Sequence, residues 1–156
     1  MTPDILVTTR WEAARWCHDH DSVLTVFAPW WYCDWGHDDH LVLEMNDRVS
    51  YSEGAPTIAQ ADTILEWAHT RLDRKMLVHC KAGQSRSTAA AIGICALAGM
   101  DEQSAWDHVY HACRPDGKIG TRPFIPNPRL LQHFDELLGT ELLGLSPRVT
   151  ELGWAT

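Results

Sequence analysis

Short apolar runs alternate with amphipathic stretches along the chain, and the two periodicities separate strands from helices. Ile5–Thr8 reads as a first strand. Thr9-Arg10-Trp11-Glu12 matches a capping box, a cap hydroxyl answered by a carboxylate three residues later, and predicts a helix to about His18. Ser22–Ala28 (SVLTVFA) is rich in branched and apolar residues and predicts a buried strand, and His40–Met45 (HLVLEM) predicts a third. A loop of Trp, His and Asp lies between them, and the polar, Gly-containing stretch Asn46–Ala55 reads as another loop. Pro56 suits the first turn of a helix in which Ile58, Ala61, Leu65, Ala68 and Leu72 recur at helical spacing. Met76–His79 is a fourth strand. Ser87–Ala98 predicts a helix that is apolar on nearly all sides and stopped by Gly99. Asp101–Cys113 is a further helix, Arg114–Asn127 a Pro- and Gly-containing loop, and Arg129–Leu138 a last helix ended by Gly139. From Thr140 the pattern fades. The expectation is an α/β fold, a central, mostly parallel sheet of four to five strands flanked by helices. One domain should span residues 1–139, with 140–156 a tail that is partly disordered.

Charge narrows the choice of partners. The 156 residues carry a formal net charge of −8, which argues against broad nucleic-acid binding or adhesion to acidic membranes. If the substrate is an anion, positive potential must be built locally into the site. No apolar stretch approaches the roughly 18–20 residues that span a bilayer, and the N-terminus lacks a signal-peptide pattern. Five cysteines, an odd number without a CxxC pair, argue against a disulfide framework and for reduced thiols in the cytoplasm. Eight tryptophans are many for this length, and most are expected in core and rim packing. Trp30, Trp31 and Tyr32 sit between apolar runs, where one can line a pocket.

The chemistry is concentrated in residues 76–91, MLVHCKAGQSRSTAAA. A buried strand entering a short loop and then a helix binds anions, because the first turn's N–H groups lack intrahelical partners and the helix dipole favours negative charge there. Gly83 permits the tight turn that lets successive N–H groups of Lys81, Ala82, Gly83, Gln84 and Ser85 face one point. Arg86 supplies a planar fork matching two phosphate oxygens. Cys80 stands at the base. A free thiol titrates near 8.5, and in an electropositive niche the value falls to ~3.5–7.5, which makes a nucleophile. A thiolate beneath an oxyanion cradle suits in-line attack on phosphorus. Ser87 is placed to donate a hydrogen bond to the sulfur, and His79 to order the loop from behind.

His79-Cys80-Lys81-Ala82-Gly83-Gln84-Ser85-Arg86-Ser87 resembles the HCxxGxxR[ST] signature of cysteine-dependent protein tyrosine phosphatases, in particular their compact dual-specificity branch of bacterial and phage type. Pro126–Gly139 is similar to the last helix of such small phosphatases. Rhodanese-type loops have four residues between Cys and Arg rather than the five here, and low-molecular-weight phosphatases carry their cysteine near the N-terminus. The resemblance implies metal-free, cofactor-free hydrolysis of phosphotyrosine, with phosphoserine and phosphothreonine as further candidates, in protein substrates through a phosphocysteine. It also implies a carboxylic acid on the loop after the third strand, which protonates the leaving group and later activates water. Asp47 occupies that position, with Glu53 and Asp39 as the other candidates. Gly54 is expected to let that loop close.

Three other readings remain open. Lys81 is compatible with non-protein substrates such as phosphoinositides or RNA 5′-phosphates, although Gln84 and Ser85 add no second cation. A non-catalytic phosphate-binding module has no need of Cys80. The clusters His18-Asp19-His20-Asp21 and His37-Asp38-Asp39-His40 contain metal-ligand types, but they fall in predicted turns without a third ligand at helical spacing, so no metal site is expected.

Overall fold

The computed structural model describes residues 1–27, 33–49, 53–114 and 122–152. Four strands, β1 (Asp4–Thr8), β2 (Ser22–Val26), β3 (His40–Leu43) and β4 (Lys75–His79), form one sheet. Its order is β1-β4-β2-β3 and every pairing is parallel. The last strand in sequence therefore lies inside the sheet, between β1 and β2. Five α-helices lie among the described residues: α1 (Arg10–Trp16), α2 (Ile58–His69), α3 (Arg86–Leu97), α4 (Glu102–Ala112) and α5 (Pro128–Leu138).

Strand alternation assigns the two faces. Ile5, Val7, Leu24, Val26, Met76 and Val78 point into the main core, whereas Leu6, Val23 and Leu77 face a smaller one with Ala13 and Cys17 beneath α1. Both faces are covered, as a parallel sheet requires. The main core is filled by α3, whose residues Ser87–Cys95 are all buried. That helix packs against the sheet, α2, α4 and α5, which explains why its sequence is apolar all round. Gly93 permits the closest approach. A β-carbon there would lie 2.5 Å from the Phe134 ring of α5.

Caps set the helix boundaries. The Thr9–Glu12 capping box is formed. A second one, Thr57 with Gln60, starts α2 at Ile58, so Pro56 precedes the helix instead of sitting in its first turn. The helix ends at His69 rather than continuing to Leu72, and Ile58 is 42% exposed despite its helical spacing. Trp11 is likewise exposed rather than packed, with the Arg10 guanidinium over its ring.

Residues 140–152, part of the tail expected from Thr140, bury the side chains of Leu142 and Ser146. They form two 3-10 turns, Leu143–Leu145 and Val149–Leu152, whose three-residue period hides from helix and strand patterns. The Asp135 carboxylate seats them by accepting bonds from Thr140 Oγ1, Leu142 N and Leu143 N. Leu142 is fully buried in the main core. Leu142→Ala should therefore lower the unfolding free energy by about 2–5 kcal/mol in urea titrations, as for a core leucine. A loss under about 0.5 kcal/mol, typical of a surface change, would contradict the packing.

Candidate active site

β4 delivers His79 and Cys80 to the carboxyl end of the sheet, the edge at which open parallel sheets bind ligands. Cys80 is 2% exposed, and its Sγ lies 3.1 Å from Ser87 Oγ in the first turn of α3. The loop between them is held by its carbonyls. Arg10 N–H bonds to the Lys81 carbonyl, Ile125 N–H to Gln84 and Asn127 N–H to Ser85, at 3.0–3.1 Å. Thr88 Oγ1 adds bonds to Gln84 and Ser85. Among the described residues, the backbone N–H groups from Lys81 to Arg86 bond to nothing. Gly83 adopts φ +66°, and a β-carbon there would lie 2.9 Å from the carbonyl of Thr8. Only glycine passes so close to another backbone with that twist.

Arg86 bonds through Nη1 to the Met45 carbonyl at 2.7 Å and lies over the Phe27 ring. Its Nε is buried without a partner. A buried, unsatisfied guanidinium N–H is costly, and beside a row of unpaired amides it offers donors that an oxyanion could satisfy.

Behind the cysteine runs a chain of bonds. His79 Nδ1 lies 3.0 Å from the Cys80 carbonyl, which only accepts, so Nδ1 carries the proton. Its Nε2 must then accept from Thr25 Oγ1 at 2.6 Å, and the Thr25 oxygen accepts in turn from His40 Nε2 at 2.6 Å. Trp35 stacks on the His40 ring and tilts against His79. Burial pushes both imidazoles down to about 4, which keeps them neutral and preserves this direction of donation. His79 thus orders the loop from behind, through two partners, Thr25 and His40, that no sequence pattern announced.

Asp47 lies on the loop between β3 and α2. Its Oδ1 accepts from Ser85 Oγ (2.6 Å), Asn127 Nδ2 (2.7 Å) and Arg148 Nη1 (2.9 Å). Burial pushes this carboxyl up, but the bonds from Ser85, Asn127 and Arg148 outweigh it and the net shift is downward. The other two candidates stand elsewhere. Asp39 is paired with Arg71 at the edge of β3, a bond that lowers its carboxyl, and Glu53 lines an open cleft of about 500 Å³ with Glu44, Met45, Asn46 and Arg48. Gly54 is not an open hinge in this conformation. Its carbonyl accepts from Asn46 N–H, and a β-carbon at Gly54 would strike the Asn46 amide.

No family model and no curated protein matches the sequence. Solved structures do match. Human DUSP28 superposes with a TM-score of 0.63 at 18% identity, over 88% of this chain and 95% of its own. Tk-PTP in its active form gives 0.58 at 19% identity, over 87% and 92%. PTPMT1 in complex with PI(5)P gives 0.54 at 18% identity, over 82% and 84%. This is the protein tyrosine phosphatase fold.

Within this fold, Cys80 opens the loop, Arg86 and Ser87 stand in the first turn of α3 that ends it, and Asp47 is bonded to the loop through Ser85. Asn127 and Arg148 escaped the sequence reading because they reach Asp47 across 80 and 101 residues. The His–Asp clusters are spent on structure. His20 bonds to the Trp16 carbonyl, Asp21 receives Lys75 N–H, and His37 bridges the His20 carbonyl and Asp39 N–H. Among the described residues no three His, Cys, Asp or Glu side chains gather as a metal site. The five cysteines are free and buried, and burial pushes the thiols of Cys95 and Cys113 up to about 12. Trp30, Trp31 and Tyr32 lie outside the described residues. No described helix is long and apolar enough to cross a membrane.

The neutral His79 has a consequence for stability. Its folded value of about 4 lies below the unfolded 6.5, so the unfolded chain takes up the proton first. The contribution is complete above about pH 6.5 and is lost as pH falls toward 4, at up to about 1.4 kcal/mol per pH unit. Urea unfolding between pH 7 and pH 4.5 should show this slope, and it should be shallower in His79→Asn, whose amide nitrogen can replace Nδ1. Equal slopes would mean that His79 is not buried neutral.

Proposed function

We propose that the protein is a cysteine-dependent phosphomonoester hydrolase acting on phosphotyrosine, and on phosphoserine or phosphothreonine, in proteins. The observation that carries this reading is the buried, unpartnered Nε of Arg86 beside unpaired loop amides, with Cys80 Sγ at the base of the same loop. These donors would hold the three non-bridging oxygens of a phosphoryl group as charge shifts among them. The Cys80 thiolate attacks phosphorus, an S–P bond forms, and the P–O bond to the leaving group breaks. Asp47, in its protonated form, gives that oxygen its proton. In the second step Asp47, now a carboxylate, takes a proton from water as the water oxygen bonds to phosphorus. The S–P bond then breaks and inorganic phosphate leaves, while Ser87 Oγ, 3.1 Å from the sulfur, donates to the returning thiolate.

A second reading concerns the substrate alone. The solved complex of PTPMT1 with PI(5)P and the lysine at position 81 favour a phosphoinositide. Parallel assays on a phosphotyrosine peptide and on phosphoinositide vesicles decide between them by the larger kcat/KM.

Hydrolysis of p-nitrophenyl phosphate should survive excess EDTA and vanish in Cys80→Ser. Turnover that EDTA abolishes, or that persists without the thiol, would refute the cysteine mechanism. Asp47→Asn should lose about 10²–10⁴ in kcat on a phosphotyrosine peptide, and less on p-nitrophenyl phosphate, whose leaving group needs little protonation. Wild-type rates on the peptide would remove Asp47 from the proton-transfer role.

A further inference from the structure

The segment after α5 does more than close the core. Ser146 Oγ donates to the Pro126 carbonyl next to Asn127, and Arg148 N–H donates back to Ser146 Oγ. This lays Arg148 beside the cysteine loop. Its guanidinium is used on both edges. Nε and Nη2 bond to the two carboxylate oxygens of Glu151, whereas Nη1 reaches both oxygens of Asp47, at 2.9 and 3.0 Å, and Ser85 Oγ at 2.5 Å. The Arg148 side chain is 14% exposed. A surface arginine is satisfied by a neighbouring glutamate alone. This one is additionally aimed at a carboxylate 101 residues away and at a hydroxyl of the cysteine loop.

We propose that Arg148 is a positioning residue of the reaction, pinning the Asp47 carboxyl to Ser85 so that residues 140–152 belong to the catalytic unit. The proposal rests on the reading of Asp47 as the proton donor and acceptor. Its physical basis is reach. A proton-transfer group misplaced by about 1 Å can lose 10²-fold, and the loop carrying Asp47 has few other ties to the phosphate loop. Ser85 and Asn127 each give Asp47 one neutral bond, and Arg148 gives the charged one. The charged groups around Asp47 are Arg148 with Glu151 behind it, Arg48 next in the chain, and Arg86 on the Met45 carbonyl. Removing Arg148 takes away a charged donor that holds the carboxyl down, so its titration should move to higher pH.

A double-mutant cycle on the full chain tests this, with kcat and KM on a phosphotyrosine peptide measured across pH for wild type, Arg148→Met, Asp47→Asn and the double variant. Arg148→Met should lose about tenfold in kcat at its own optimum, part of what the whole proton-transfer group is worth, with KM little changed. The basic limb of its kcat/KM profile should lie at higher pH than in wild type. In the Asp47→Asn background the same substitution should cost less than about twofold, and Arg148→Lys should recover part of the loss. Equal losses in both backgrounds, an unmoved basic limb, or a faster Arg148→Met would each overturn the proposal. If Asp47→Asn is slow while Arg148→Met matches wild type, only the role of Arg148 fails. If Asp47→Asn itself matches wild type, the reading of Asp47 fails and the proposal falls with it.

Discussion

The bonds from Ile125 N–H to the Gln84 carbonyl and from Asn127 N–H to the Ser85 carbonyl hold the far half of the cysteine loop in one orientation. With Arg10 N–H on Lys81 and His79 on Cys80, four of the loop's carbonyls are engaged from outside. A peptide plane whose carbonyl is fixed has its N–H fixed in the opposite sense, since the unit is planar and trans. The unpaired amides are therefore a consequence of where the carbonyls are anchored, and the anchors come from β1's exit, β4's own end and the approach to α5. Gly83 completes the constraint, because the loop runs against the backbone of Thr8 with no room for a side chain. α3 must then start where the loop ends, and its all-apolar surface follows from being pressed between the sheet and three other helices.

Electrostatics is organised on the same local scale. The chain as a whole is acidic, with a formal charge of −8. Charges farther apart than about 8 Å are largely screened at physiological salt, so an anion approaching the loop would be governed by what lies near it. Arg86 and Lys81 belong to it, Arg10 bonds to it through its backbone, Arg148 contacts Ser85, and Arg122 approaches Gly83. Arg122 is partly neutralised by Glu12 and Arg148 by Asp47 and Glu151. Arg86 pairs with no carboxylate among the described residues, and it is the one whose Nε is buried and unsatisfied.

What the sequence discloses and what it hides divides along contact range. β4, the loop and α3 are continuous in the chain, so the order strand, Cys, Gly, Arg, hydroxyl, helix carries its own geometry. Asp47 is reached by a different route, since only the resemblance to the phosphatases singles it out among several loop carboxylates. The Thr57–Gln60 capping box is written in the sequence as plainly as the Thr9–Glu12 one, yet Pro56 drew the helix start forward by two residues. Thr25 reads as one more branched residue in a strand, and only the register beside β4 sets its hydroxyl against His79. Arg148 sits in a stretch with no helical or strand period, because 3-10 turns leave neither. Its importance depends on a contact that no local pattern encodes.

In the proposed mechanism the two chemical steps ask opposite things of Asp47, a proton to give in the first and a vacant lone pair in the second. All three of its partners are donors, which stabilise the carboxylate and leave no acceptor for a carboxylic proton at Oδ1. The conformation in the structure would therefore suit the second step of the proposed mechanism, in which Asp47 accepts from water. For the first step of the proposed mechanism the proton would sit on Oδ2, whose one partner among the described residues is Arg148. Asn127 is fixed by its cap at the start of α5 and by its backbone bond to Ser85, and Ser85 by the loop itself. Arg148 is held by a segment outside the regular secondary structure and keeps Glu151 as a partner when it lets go. Of the three donors it is the one whose adjustment disturbs the least structure, and so in the proposed mechanism the proton demand of the first step would fall on the contact between Asp47 and Arg148.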